Sequence, residues 1–174
     1  PYPQEQFKVY GPLIKLPRVC EHKKIKYFYK FRTMHPYAEY IQQYVFDARG
    51  GMDIADKSND DWRITTWGRF MRKYWLDELP MLINWIKRDM KLVGVRPISK
   101  TMFDTYPEWL QEKRTLCKPG LIPPFYIDHP KTFDELFASE DKYLTEYLAH
   151  PFRTDVKYFF LTMWSILTRK PHSA

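Results

Sequence analysis

Apolar positions recur along this chain with two periods, and the periods mark its elements. From Lys24 the pattern alternates, with Ile25, Tyr27, Tyr29 and Phe31 on one face and Lys26, Lys30 and Arg32 towards the other. A period of two in a stretch rich in β-formers predicts a strand. Residues 13–18 and 25–32 are expected to make a small hairpin. Helical spacing then takes over. Tyr37, Tyr40, Ile41, Tyr44 and Val45 predict a helix opened by Pro36, a residue suited to a first turn. Residues 67–74 predict a short basic helix, with Arg69, Arg72 and Lys73 beside Phe70 and Met71. A second helix runs from Pro80 through MLINWIKRDM, and KLVGV at 91–95 is a short strand. Helices are also expected over 107–116, 131–149 and 153–169. Residues 49–62 read as a polar loop. Residues 118–125 read as turns, because prolines and a glycine crowd them. The sum is an α+β fold: a mainly helical single domain with a small antiparallel β-hairpin, spanning 1–174 with an irregular lead-in over 1–10.

Composition narrows the class. The chain has 174 residues, 44% hydrophobic and 18% aromatic, which is enough to build a core and excludes a disordered chain. Its net charge of +7 favours an anionic partner: a nucleic acid, a phosphorylated metabolite or an anionic lipid surface. Cys20 and Cys117 stand far apart and read as two free thiols. No stretch reaches the roughly 18–20 apolar residues of a spanning helix. The apolar residues of the last helix, Val156 to Leu167, read as core or as a membrane-surface face, with Arg153 and Lys157 among them. There is no signal peptide and no initiating Met, so the chain reads as the middle of a longer protein.

Most familiar chemistry is missing. There is no G-x-G-x-x-G, no G-x-x-x-x-G-K-[ST], no H-E-x-x-H, no C-x-x-C and no G-x-S-x-G. Asp56, Ser58 and Asp60 hint at a calcium loop, but Asp61 stands where that loop needs Gly and Trp67 where it needs Glu. No nucleic-acid motif is present, and the aromatics sit at core-like spacing. What remains is Asp77 and Glu78 in YWLDELP, residues 74–80, among Arg69, Arg72, Lys73, Lys87, Arg88 and Arg96. Pro80 in a first helical turn would put Asp77 near a helix N-terminus, where a carboxylate caps and stays ionised. The same ionised carboxylate could be a nucleophile, with its neighbour holding a divalent metal. The residues by themselves leave both uses open, and capping is the commoner.

Four segments in order then matter: KFRTM at 30–34, RITTWGRFMRKYWLDELP at 63–80, NWIKRDMKLVGVRP at 84–97 and KPG at 118–120. Together they resemble the bacterial sugar transferase family, the monotopic polyprenyl-phosphate phosphoglycosyltransferases, from about Gly11 to Arg169. The resemblance implies transfer of a sugar-1-phosphate from a nucleotide diphosphate sugar, such as a UDP-sugar, to undecaprenyl phosphate. It implies Mg²⁺ as cofactor and the cytoplasmic face of the bacterial inner membrane as location. Residue by residue, it makes Asp77 the nucleophile that forms a phosphosugar-aspartyl intermediate. Glu78, with Asp77, becomes the Mg²⁺ site. Arg72 and Arg96-Pro97 become phosphate contacts, and Lys30 and Arg32 part of the substrate-binding basic segment. It also implies a membrane helix ahead of residue 1. Two departures stand out. Val95 replaces the first Pro of the family's Gly-Pro-Arg-Pro turn, and LIPPFYID follows Gly120 in place of the family's usual continuation. A non-catalytic or truncated relative that scaffolds a glycan pathway at the membrane surface is the competing reading; the intact pair of acids speaks against it.

Overall fold

The computed structural model of the chain describes residues 11–41, 44 and 61–168. The chain falls into two compact units. Among the described residues, one takes 11–15 together with Tyr29–Leu82; the other takes Leu16–Phe28 and 83–168.

The expected hairpin is present as β1 (Leu13–Val19) and β2 (Ile25–Phe31), and it contributes to both units. Its open end lies in the first unit, where the Arg32 N–H donates to the Pro12 carbonyl at 2.7 Å. Beyond it, Met34 bridges Ile64 in antiparallel fashion. Pro36 opens a 3-10 turn, Pro36–Glu39. The helix expected to continue to Val45 lies outside the described residues except at Ile41 and Tyr44. Of the expected polar loop, Asp61 and Trp62 are described, and the Asp61 carboxylate holds the buried Arg63 guanidinium at 2.5 Å.

Helix α1 (Thr66–Lys73) is the expected basic helix. Thr65 caps it, its hydroxyl accepting from the Gly68 N–H at 2.9 Å. Gly68 is required for contact rather than for conformation: a Cβ there would fall 2.0 Å from the Thr33 carbonyl oxygen.

Helix α2 (Met81–Ile86) starts one residue after Pro80 and stops earlier than its apolar pattern suggests. Arg88, at φ 60°, takes the left-handed position after the helix. The Arg88 N–H donates to Trp85 at 2.9 Å and the Asp89 N–H to Asn84 at 2.9 Å, closing a Schellman motif. Lys26 in β2 then pairs with Asp89 at 2.7 Å.

In the second unit, β3 (Lys91–Val93) pairs in parallel with β4 (Gly120–Ile122), Lys91 opposite Gly120 and Val93 opposite Ile122. This corrects the reading of 118–125 as turns. The prolines flank the strand rather than interrupt it, so no ladder N–H is lost. The Pro119 carbonyl even accepts from the Lys91 N–H at 2.9 Å. The pairing depends on two glycines that look isolated in sequence: a Cβ on Gly120 would sit 2.0 Å from the Gly94 nitrogen.

Two further short helices, α3 (Lys100–Asp104) and α4 (Glu108–Arg114), stand between these strands. α3 was not expected; Ser99 starts it by accepting from the Met102 N–H at 3.2 Å. After β4 comes the one-turn α5 (Phe125–Asp128), then α6 (Phe133–Ala149) and α7 (Pro151–Thr168). The core gathers Phe28, Val93, Leu110, Leu136, Tyr143, Leu144 and Tyr158. Burial of each such side chain contributes about 1.5–3 kcal/mol. Lys91 crosses this core, donating to Asp155 at 2.9 Å and to the Tyr143 hydroxyl at 2.7 Å. Burial pulls its ammonium below the usual lysine range, and Asp155 opposes that.

Helix α7 is turned inside out. Thr154, Tyr158, Thr162 and Ser165 are its buried face, while Phe152, Phe160, Trp164 and Leu167 are 84%, 65%, 69% and 82% exposed.

Both thiols are buried, and burial pushes each up to about 11. Native Cys20 and Cys117 should therefore resist iodoacetamide at pH 8 and react once the chain is unfolded, as mass spectrometry will read. A raised folded pKa means this contribution to stability is complete below the ordinary thiol value of 9.0 and is lost as pH rises towards 11. Gly120→Ala should lower stability by about 3 kcal/mol in urea unfolding, since backbone, not a flexible side chain, occupies the space.

Candidate active site

The acids sit just past the end of α1, where the chain makes an uncommon turn. The Trp75 N–H donates to the Arg72 carbonyl at 3.2 Å, and Trp75 takes φ 54° and ψ 19°. The left-handed conformation after a helix usually falls to Gly or Asn, and a bulky residue there carries strain. A 3-10 turn, Leu76–Glu78, follows at once, with the Glu78 N–H donating to Trp75 at 3.2 Å and Leu79 N–H to Leu76 at 3.2 Å. The reversal turns Asp77 inward, to 9% exposure.

This geometry corrects the cap reading. Helix α2 begins at Met81, so Asp77 lies in the preceding 3-10 turn, too far back to be its N-cap. Nor does the environment hold Asp77 down as a cap would. Burial raises its pKa; Lys30 opposes this, the neighbouring Glu78 charge adds to it, and Arg72 opposes it. The net direction is upward.

Of the other expected residues of the first unit, Lys30 and Arg72 come to this turn. Lys30, near the end of β2, places its ammonium 2.6 Å from Glu78 Oε1, with the two side chains only 16% and 18% exposed. Arg72, in the last turn of α1, donates from Nε to the Thr33 hydroxyl at 3.0 Å. Arg32 is directed to the start of β1, its Nε donating to the Gly11 carbonyl at 3.2 Å.

Arg96 and Pro97 belong to the second unit. Pro97 is buried. The Arg96 carbonyl accepts from Arg114 Nη2 at 2.8 Å. Arg114 is itself buried, paired with Glu140 and stacked 4.8 Å from the Tyr106 ring centroid. Glu140 holds the Arg114 guanidinium above its ordinary value against the effect of burial.

Two adjacent carboxylates answered by two cations can bind and attack a phosphate. The donor set also fits a magnesium ion, which is held by one or two carboxylates and completes its shell with water and phosphate oxygens. The mutual repulsion of Asp77 and Glu78 is the interaction that such a cation relieves. Among the described residues no cluster of three or more His, Cys, Asp or Glu could hold a metal ion, so the two acids would rely on water and phosphate oxygens for the rest of the shell.

Three contributors were not read from the sequence. Thr33 stands inside KFRTM and could have been singled out there. Trp75 carries no sequence signal for its left-handed turn. Arg114 looks like any helical surface arginine until the fold buries it.

A family model described as bacterial sugar transferase matches residues 6–169. The galactosyl transferase CpsE of Streptococcus agalactiae serotype III (strain NEM316) is 34% identical over 161 residues, which are 90% of this chain and 35% of that protein. The undecaprenyl-phosphate galactose phosphotransferase of Salmonella typhimurium is 38% identical over 108 residues, 60% of this chain and 22% of that protein. The UDP-glucose:undecaprenyl-phosphate glucose-1-phosphate transferase of Caulobacter vibrioides is 36% identical over 94 residues, 53% of this chain and 31% of that protein. The chain thus spans about a third or less of the length of these relatives.

The strained turn gives a direct test. Trp75→Asn, which tolerates a left-handed backbone, should unfold at higher urea than Trp75→Val, which does not. The gap should be about 1–2 kcal/mol, the cost of that conformation for a residue with a branched Cβ.

Proposed function

Since the chain belongs to the bacterial sugar transferase family, we propose that it carries the chemistry that moves a sugar-1-phosphate from a UDP-sugar to undecaprenyl phosphate. The observation that carries this reading is Asp77, a buried carboxylate on which the charges of Lys30 and Arg72 bear. Three relatives' names share undecaprenyl phosphate and two of them name a UDP-sugar, while the sugar differs: galactose, glucose and N-acetylgalactosamine.

In this reading an Asp77 carboxylate oxygen attacks the phosphorus that carries the sugar. The bond from that phosphorus to the bridging oxygen breaks, and UMP leaves with the electron pair. The product is an acyl phosphate, a phosphosugar-aspartyl intermediate. An oxygen of undecaprenyl phosphate then attacks the same phosphorus. The aspartyl oxygen departs, Asp77 is a carboxylate again, and the sugar is left on a lipid diphosphate. Covalent catalysis of this kind splits one difficult displacement into two.

The surrounding residues have separate tasks. Arg72 meets phosphate oxygens, for which a planar guanidinium fork is better suited than an ammonium, and Arg96 of the second unit has the same chemistry to offer. Pro97 stiffens the turn after Arg96. Lys30 offsets the Glu78 charge and limits repulsion of an incoming anion. Arg32 extends the basic segment that draws the donor in. Glu78 and Asp77 would hold Mg²⁺, which when bound neutralises diphosphate charge.

In this reading the nucleotide sugar and the lipid acceptor meet at the cytoplasmic face of the inner membrane, in the first step of exopolysaccharide, O-antigen or other glycan assembly. Two faces support a membrane-surface location. In α1 and at its C-terminal end, Trp67, Phe70 and Tyr74 are 73%, 46% and 55% exposed beside Arg69 and Lys73. In α7, the exposed apolar row runs beside Arg153 and Lys157. Aromatic and apolar side chains flanked by cations suit the interface of an anionic bilayer. Among the described residues no helix is long and apolar enough to cross a membrane.

The test uses the full-length protein in detergent with Mg²⁺, undecaprenyl phosphate, and UDP-glucose, UDP-galactose or UDP-N-acetylgalactosamine. Wild type should release UMP from one of them. Asp77→Asn should release at least about a thousandfold less, as expected for loss of a nucleophile. Peptide mapping should find the trapped phosphosugar on Asp77. UMP release by Asp77→Asn at the wild-type rate would overturn the assignment, and so would an adduct on another residue.

A further inference from the structure

Thr33 lies just past the end of β2 and is 5% exposed. Its backbone and its side chain both engage α1, at opposite ends of that helix. The carbonyl accepts from the Thr65 N–H at 3.0 Å and from the Thr65 hydroxyl at 3.2 Å, ahead of the first turn. Gly68 presses on the same carbonyl closely enough that a Cβ would fall 2.0 Å from its oxygen. The hydroxyl reaches the last turn, where it accepts from Arg72 Nε at 3.0 Å. Gly68 and Arg72 are four residues apart and so share one face of α1. One residue therefore sets both the seat of the helix and the plane of a guanidinium carried on it.

This second contact bears on the chemistry. An arginine side chain has much rotamer entropy to lose when it is fixed. A hydrogen bond at Nε holds the guanidinium plane before any anion arrives, which is how a binding group is preorganised. The contact is also hard to replace. Thr33 is buried and its hydroxyl is fixed against the helix, so removing the hydroxyl takes this partner from the Nε–H.

We propose that Thr33 is a positioning residue, whose hydroxyl holds the Arg72 guanidinium in the plane that meets the diphosphate of the nucleotide-sugar donor. The inference rests on the reading of Arg72 as a phosphate contact, and it assigns Thr33 no contact with substrate.

The test is a thermodynamic cycle in the full-length protein, using whichever of UDP-glucose, UDP-galactose or UDP-N-acetylgalactosamine yields most UMP. Thr33→Val keeps the shape and removes the hydroxyl. It should raise the KM for the UDP-sugar about tenfold and change kcat less, as for loss of a hydrogen bond to a charged group. Thr33→Ser, which restores the hydroxyl, should recover most of that loss. In an Arg72→Lys background, which has no Nε, Thr33→Val should add nothing further. An unchanged KM in Thr33→Val overturns the proposal, and so does an equal loss in both backgrounds.

A second measurement does not depend on turnover. The Arg72 Nε–H, assigned by its disappearance in Arg72→Lys, should exchange slowly with solvent in wild type and Thr33→Ser. It should exchange at least about tenfold faster in Thr33→Ala, where the Nε hydrogen bond is gone. Equal exchange in all three overturns the proposal even if Thr33→Val does not fold. Wild type that releases no UMP but shows slow exchange would overturn the phosphotransfer reading alone and uphold the Thr33–Arg72 contact.

Discussion

The first unit depends on one close approach of backbone to backbone, the Thr33 carbonyl against α1 at Gly68. It brings the end of the hairpin, where Lys30 stands, to the helix that carries Arg72 and leads into Asp77 and Glu78. A side chain at residue 68 would push the two apart, and the cations would no longer bear on the acids. The residue that looks least chemical in this segment therefore controls the electrostatics of the most chemical pair.

Those electrostatics are a contest between burial and charge. Burial disfavours the charged form of Asp77, and the adjacent Glu78 disfavours it further. Lys30 and Arg72 work in the opposite direction, and Lys30 is in direct contact with Glu78. The strained backbone at Trp75 has a comparable logic. It keeps α1 from running on and turns the acids inward within two residues.

The second unit repeats the device in another form. Gly94 and Gly120 let two short strands lie close enough to pair, and the buried Arg114 then reaches the carbonyl of Arg96. Around that pairing α6 and α7 build the core from tyrosines, threonines and serines as much as from leucines. The large apolar residues of α7 are left outside, so its sequence carries an apolar stripe that the fold does not use for packing.

The sequence by itself determined the elements whose periodicity is strong: the hairpin, α1, α6 and α7, with ends shifted by a residue or two. Repeating local patterns need no knowledge of the rest of the chain. The resemblance in ordered segments also singled out the acids, and family membership bears that resemblance out. Other features were decided by tertiary structure alone. Strand β4 exists because Gly94 admits Gly120, a contact between residues far apart in sequence. Arg88 and Trp75 take left-handed turns because the helices before them must end there, although neither residue type favours that conformation. Asp77 reads as a helix cap until the helix is seen to start at Met81. The raised pKa of Asp77 and the hold of Thr33 on Arg72 both arise from burial and long-range contact, which no local pattern encodes.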